Sequence, residues 1–166
     1  MTDVDASKII KLTVNGAGLE ALAGPHHTLL EVLRNNGYVE VKCGCEKGDC
    51  GACAVLLDGE AVDACLTLAW IADGGDVWTV KGIGTESKPH PLQKAFIEEG
   101  SVQCGYCIPG VIVAAKALLD RNPDPSDADI RVALSGNLCR CTGYTRIFSA
   151  IHKAAEEMRQ EALTHA

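Results

Sequence analysis

Aromatic rings are nearly missing from this sequence: Phe, Tyr and Trp together supply 4% of its 166 residues. Large rings can therefore fill little of a core, and something else has to help anchor the fold. Positive charge is also short, with 15 Lys and Arg against 22 Asp and Glu and a formal net charge of −7. Nucleic-acid binding depends on clustered cations that neutralise phosphates, so nucleic acid is excluded as a partner. The longest purely aliphatic stretch covers residues 111–115, far short of the roughly 20 residues that span a bilayer. Met1-Thr2-Asp3-Val4-Asp5 is acidic and polar, without the basic and apolar regions of a secretory leader. Together these absences predict a cytoplasmic protein with no membrane span.

Cysteine is what the sequence has in excess, with nine. Disulfides are rare in a reducing compartment, where thiols more often bind metal or carry out redox chemistry. The odd count leaves at least one thiol outside any scheme of four ligands per site.

The hydrophobic period changes midway along the chain. Ile10, Leu12 and Val14 alternate with polar residues, and Asn15-Gly16 is the preferred pair for a type I′ turn, which predicts a β-hairpin continuing through residues 19–22. Thr28 is an expected N-cap for a short helix carrying Leu29, Leu30, Val32 and Leu33 and stopping at Gly37. Residues 42–53, with four cysteines and three glycines, read as a loop. A second hairpin is expected over 54–57 and 60–65 around Asp58-Gly59, and a last strand over 77–80. After a Gly-, Thr-, Ser- and Pro-rich linker the period becomes helical, over 92–99 and 111–121. A third helix is opened by the capping-box pattern Ser126-x-x-Asp129 and runs through Leu134; a fourth has Ile147, Ile151, Ala154, Ala155 and Met158 on one face. The expected organisation is α+β, with a mixed sheet and one helix over 1–82, a linker over 83–91 and an all-α part over 92–166.

Cys45, Cys50, Cys53 and Cys65 stand as C-x4-C-x2-C followed by eleven residues and a fourth cysteine. The first three match the plant-type [2Fe–2S] spacing. A tetrathiolate cluster is negatively charged, so backbone N–H groups must face its sulfurs. Gly44, Gly48 and Gly51 are expected to adopt positive φ and let the loop approach closely enough to supply them. Structural zinc also favours four cysteines, but usually as two short-spaced pairs. Cys43 in place of Cys45 would stretch the first gap to six residues, so Cys43 reads as a bystander. In the second half, Cys104-x2-Cys107 and Cys139-x-Cys141 form two close pairs 31 residues apart, each in a turn between helices. This is a four-thiolate metal site whose spacing leaves zinc and iron–sulfur both open, with a ferredoxin-like loop in the same chain favouring iron.

Three blocks carry a resemblance across nearly the whole chain. They are Gly44-Cys45-Glu46-Lys47-Gly48-Asp49-Cys50-Gly51-Ala52-Cys53, Gln103-Cys104-Gly105-Tyr106-Cys107-Ile108-Pro109-Gly110 and Gly136-Asn137-Leu138-Cys139-Arg140-Cys141-Thr142-Gly143-Tyr144. The sequence resembles the iron–sulfur subunit of the xanthine oxidase family of molybdenum hydroxylases, as do Asn122-Pro123-x-Pro125 and Leu134-Ser135-Gly136. Two departures touch no ligand: Ile108 stands where the family often has Thr, and the stretch before Lys42 is short.

The resemblance implies a β-grasp ferredoxin domain whose [2Fe–2S] cluster, on Cys45, Cys50, Cys53 and Cys65, lies nearer solvent and a flavin. It also implies a four-helix domain whose second [2Fe–2S] cluster, on Cys104, Cys107, Cys139 and Cys141, is buried beside a molybdopterin, in its cytosine dinucleotide form, held by a large partner subunit. Gln103 and Cys139 would lie against that pterin, and a medium subunit would hold FAD, in a dimer of heterotrimers. Electrons would run from molybdenum through both clusters to FAD, or the other way in a reductase. No catalytic residue is expected in this chain. The competing readings are a free-standing ferredoxin, which leaves the second half unexplained, and a zinc-ribbon protein. His26, His27, Lys47 and Asp49 read as solvated side chains, and Trp70 and Trp78 as packing.

Overall fold

The computed structural model describes residues 6–164; residues 1–5, read above as lacking a leader, lie outside them. Strands β1 (Lys8–Val14) and β2 (Ala17–Ala23) pair antiparallel with Val14 opposite Ala17, so Asn15 and Gly16 alone make the turn. Their φ values of 52° and 80° are the left-handed pair that a type I′ turn requires. Asp58 and Gly59, at 51° and 87°, join β3 (Ala54–Leu57) to β4 (Glu60–Asp63) in the same way. Strand β5 (Asp76–Trp78) inserts between the hairpins, parallel to β1 and antiparallel to β3, giving the sheet order β2-β1-β5-β3-β4.

Helix α1 (Leu29–Asn35) starts on Thr28, whose side chain accepts from the Glu31 N–H while Glu31 accepts from the Thr28 N–H, a reciprocal cap. It lays Leu29, Leu30, Val32 and Leu33 on Ile10, Leu12, Val14, Val55 and Val77. At roughly 1.5–3 kcal/mol for each fully buried aliphatic side chain, branched aliphatics do here what the scarce rings do not. Trp70 packs beside this core, its indole N–H donating to the Ala23 carbonyl at 2.8 Å.

The expected strand over 77–80 stops at Trp78, because Thr79 turns out of the sheet to cap a one-turn helix, α2 (Val80–Ile83). Buried Glu40 holds Thr79 in place, accepting from its hydroxyl at 2.9 Å, with the Lys81 ammonium 3.4 Å from the other carboxylate oxygen. Strand β4 likewise ends at Asp63, short of Cys65.

Four longer helices follow: α3 (Pro91–Glu98), α4 (Ile108–Arg121), α5 (Asp127–Ala133) and α6 (Thr145–Thr164). Helix α4 begins three residues earlier than expected because Pro109 fits its first turn, where a missing N–H costs nothing. Ser126 and Asp129 form the expected capping box on α5, which stops at Ala133. Phe96, Val111, Ile130, Ile147 and Ile151 make the helical core. The other side of α4 lies on the sheet, with Val113 and Ala117 against Ala54 and Leu56 of β3 and with Trp78 and Ile83 alongside. An apolar seam therefore joins the two halves. Among the described residues no helix is long and apolar enough to cross a membrane.

Candidate metal centres

The first thiol group is assembled from the loop after α1, the start of β3 and the chain just beyond β4. Cys45 and Cys50 touch each other and are half-buried; Cys53 and Cys65 touch each other and are buried. The Lys47 N–H points at the Cys45 sulfur from 3.4 Å, joined by the Asp49 and Cys50 amides, and these donors bring the Cys45 thiol down to about 7. Burial pushes Cys53 up to about 12 and also raises Cys50. The loop reaches this shape through left-handed backbone at Glu46 (φ 55°), Gly48 (79°) and Gly51 (62°). Gly44, expected to share that conformation, does not; it is needed for closeness, since a Cβ there would lie 2.7 Å from the Cys50 sulfur.

The second group comes from the two turns that precede α4 and α6. Cys104 and Cys141 are exposed with their sulfurs 3.6 Å apart, and buried Cys107 touches Cys139. Burial pushes Cys107 up to about 12. At Cys139 burial acts in the same direction but is outweighed by the Thr142 hydroxyl, 3.1 Å from the sulfur, and by the Thr142 and Cys141 amides, which bring the thiol down to about 7. Tyr144, itself left-handed at φ 67°, aims its hydroxyl back to accept from the Cys139 N–H at 2.7 Å.

Both groups open onto one cavity of about 250 Å³, lined by Cys45 and Cys50 on one side and by Cys104, Cys107, Cys139 and Cys141 on the other. Gln103 is exposed beside Cys104. Cys43 bonds to neither group: its thiol donates to Glu46 at 2.6 Å, and its carbonyl accepts from the Tyr106 hydroxyl. His27 accepts from the Gly24 N–H and faces no thiol group.

The donor chemistry suits iron–sulfur clusters. Thiols stand two by two with inward-facing N–H groups, as two irons with two thiolates each require. Sequence reasoning assigned no role to Asn137, Thr142, Tyr144 or Gly110, although all four lay within the quoted blocks. Their spacing carries no ligand signal, and their work is done by contacts the fold creates.

An α+β chain with two groups of paired thiols, six of them around one cavity, fits a class, the two-centre iron–sulfur proteins. Residues 12–76 match the family model described as a 2Fe-2S iron-sulfur cluster binding domain, and residues 79–152 match that of a [2Fe-2S] binding domain. The chain is 49% identical over 148 residues to the nicotinate dehydrogenase small FeS subunit of Eubacterium barkeri, covering 89% of this chain and 94% of that one. It is 44% identical to the xanthine dehydrogenase iron-sulfur-binding subunit of Escherichia coli O157:H7, over 86% of this chain and 91% of that one. Among solved structures, quinoline 2-oxidoreductase from Pseudomonas putida 86 superposes with a TM-score of 0.88 at 39% identity, covering 93% of this chain and 98% of that chain. Aldehyde oxidoreductase from Desulfovibrio gigas also gives 0.88, at 44% identity, with this chain spanning 17% of it. The protein belongs to the small iron–sulfur subunits of the xanthine oxidase family.

Proposed function

We propose that this chain is the electron-transfer iron–sulfur subunit of a cytoplasmic molybdenum hydroxylase, with no bond-making residue of its own. Cys45, Cys50, Cys53 and Cys65 hold one [2Fe–2S] cluster in a β-grasp domain (1–82). Cys104, Cys107, Cys139 and Cys141 hold the other in a four-helix domain (92–166), beyond the connecting segment 83–91. When bound, the clusters supply one-electron carriage between a molybdopterin cytosine dinucleotide in a large subunit and FAD in a medium subunit, the assembly being a dimer of heterotrimers.

The observation that carries this reading is one cavity lined by Cys45 and Cys50 of the first group and by all four thiols of the second, since a relay needs two carriers close together. The rim of the second quartet supports a molybdenum subunit seated over it. The resemblance implied that the first cluster lies nearer solvent, yet in this chain alone Cys104 and Cys141 are the open thiols. Val102, Tyr106 and Leu138 expose apolar surface around them, an arrangement that a covering partner completes. Gln103 and Cys139 are on that side and face the pterin. Lys47, Asp49 and Gly51 belong to the first loop, where the amides of the first two and the small third residue serve the thiolates.

Cys104→Ser tests the reading. The variant should keep about half of the wild-type iron and acid-labile sulfide and lose electron transfer between the partner subunits, with substrate binding elsewhere intact. Full iron and full turnover would overturn the assignment. Visible absorption separates cluster from zinc, which has no redox chemistry.

A further inference from the structure

Between the two thiol quartets the backbones of the two halves touch. The Leu138 N–H donates to the Cys50 carbonyl at 3.0 Å, and the Asn137 side-chain amide donates to the Gly51 carbonyl at 3.1 Å. Successive residues 137 and 138 thus grip successive residues 51 and 50 in a two-rung clasp. Asn137 is 6% exposed. Its own carbonyl accepts from the Tyr144 hydroxyl at 3.0 Å, the same oxygen that accepts from the Cys139 N–H. Close approach depends on Gly51, where a Cβ would lie 2.5 Å from the Asn137 amide nitrogen and 2.5 Å from the Gly136 carbonyl.

We propose that Asn137 is a positioning residue that holds the Leu138 N–H on the Cys50 carbonyl, and that this hydrogen bond is the route by which an electron crosses between the two centres. The proposal rests on the reading of both quartets as cluster ligands. The route runs from the Cys139 sulfur through its backbone to the Leu138 amide, across one hydrogen bond to the Cys50 carbonyl, and along the Cys50 side chain to its sulfur. Every other link is covalent. One electron leaves the centre that includes Cys139, oxidising it by one unit, and enters the centre that includes Cys50, reducing it by one; no proton moves. Asn137 acts because a buried amide is costly to leave unpaired. Its bond to Gly51 fixes where the next residue, Leu138, must lie.

Asn137→Leu keeps the side chain's approximate shape and removes its donor without adding a charge. In the full chain purified with its partner subunits, the variant should retain four irons and both cluster spectra at unchanged potentials. Exchange of the Leu138 amide should speed up by about tenfold or more, as the clasp opens. Redistribution of a single photochemically introduced electron between the clusters, followed by freeze-quench electron paramagnetic resonance, should slow by a similar factor. Unchanged amide exchange would overturn the positioning role, and an unchanged rate beside faster exchange would overturn the route. Loss of a cluster would make Asn137 a folding residue and equally overturn the proposal. Fewer than four irons in the wild type would strike the cluster reading instead, while Leu138 exchange still reports on the clasp.

Discussion

Gly110→Ala sets two known effects against each other, and the structure decides the sign. Gly110 lies in the first turn of α4, facing the first thiol loop. Within a helix alanine is favoured over glycine by about 0.8–1.0 kcal/mol, so propensity alone foretells a more stable protein. The added Cβ, however, would lie 2.1 Å from the Gly51 carbonyl oxygen, 3.1 Å from its carbon and 3.3 Å from the Ala52 Cα. All three are backbone atoms that no rotamer change can move. The seam would have to open by roughly 1 Å to restore ordinary contact, and overpacking of this kind costs about 1–3 kcal/mol. With rigid neighbours the upper part of that range applies, leaving a net loss of about 1–2 kcal/mol after propensity is credited. For a chain of this size that lowers Tm by roughly 2–8 °C. The assay is thermal unfolding of the iron-loaded protein followed by circular dichroism, with Gly18→Ala as control. A Cβ added at Gly18 would meet nothing within 4 Å, so its substitution should stay within about 0.5 kcal/mol of wild type. A Gly110→Ala protein as stable as the wild type, or more so, would refute the tight seam.

Thr142→Val removes the hydroxyl that donates to Cys139. With about 1 kcal/mol for one such bond, the second cluster's potential should fall by about 40 mV at constant iron content; a redox titration showing no shift would refute this. Cys43→Ser should keep full iron and sulfide, and Cys45→Ser should lose one cluster; the reverse outcome in iron analysis would transfer the ligand role to Cys43. His90 caps α3 by accepting from the Leu92 N–H at 3.2 Å on Nδ1, and burial, assisted by Lys116, holds its pKa below 6.5. Its neutral form is favoured in the fold, so its contribution to stability is complete above pH 6.5 and is lost as the pH falls below that value through the lower folded pKa, when the proton lands on the capping nitrogen. Tm measured against pH should show this loss, and His90→Asn, which keeps a capping side chain, should flatten that part of the curve; an unchanged slope would refute it.

Local chemistry made much of this fold legible. Asn15-Gly16 and Asp58-Gly59 announced their turns because few other pairs tolerate two successive positive φ values. Thr28 and Ser126 announced their helices through side chains that bond within one turn. Helix α2 escaped notice because four residues carry no period, and its start depends on Glu40 gripping Thr79 across 39 positions of sequence. The parallel pairing of β5 with β1 is equally non-local. At the site, spacing marked the first quartet and left the second metal open. Gly51 was read as a conformational residue of its own loop, and half of the reason for it lies across the seam, in Asn137 and Gly136.

That seam bears on how such a chain can have been put together. Strand β3 begins one residue after Cys53, and α4 begins one residue after Cys107, so the pair that forms the seam carries a thiol from each quartet. Ala54 and Leu56 are buried against Val113 and Ala117 of the other half. A recombination event that cut the gene within residues 83–91 would join the reading frame cleanly and still leave two greasy, mismatched faces. Exchange of one half alone is therefore disfavoured, and substitutions on β3 are expected to be matched by substitutions on α4.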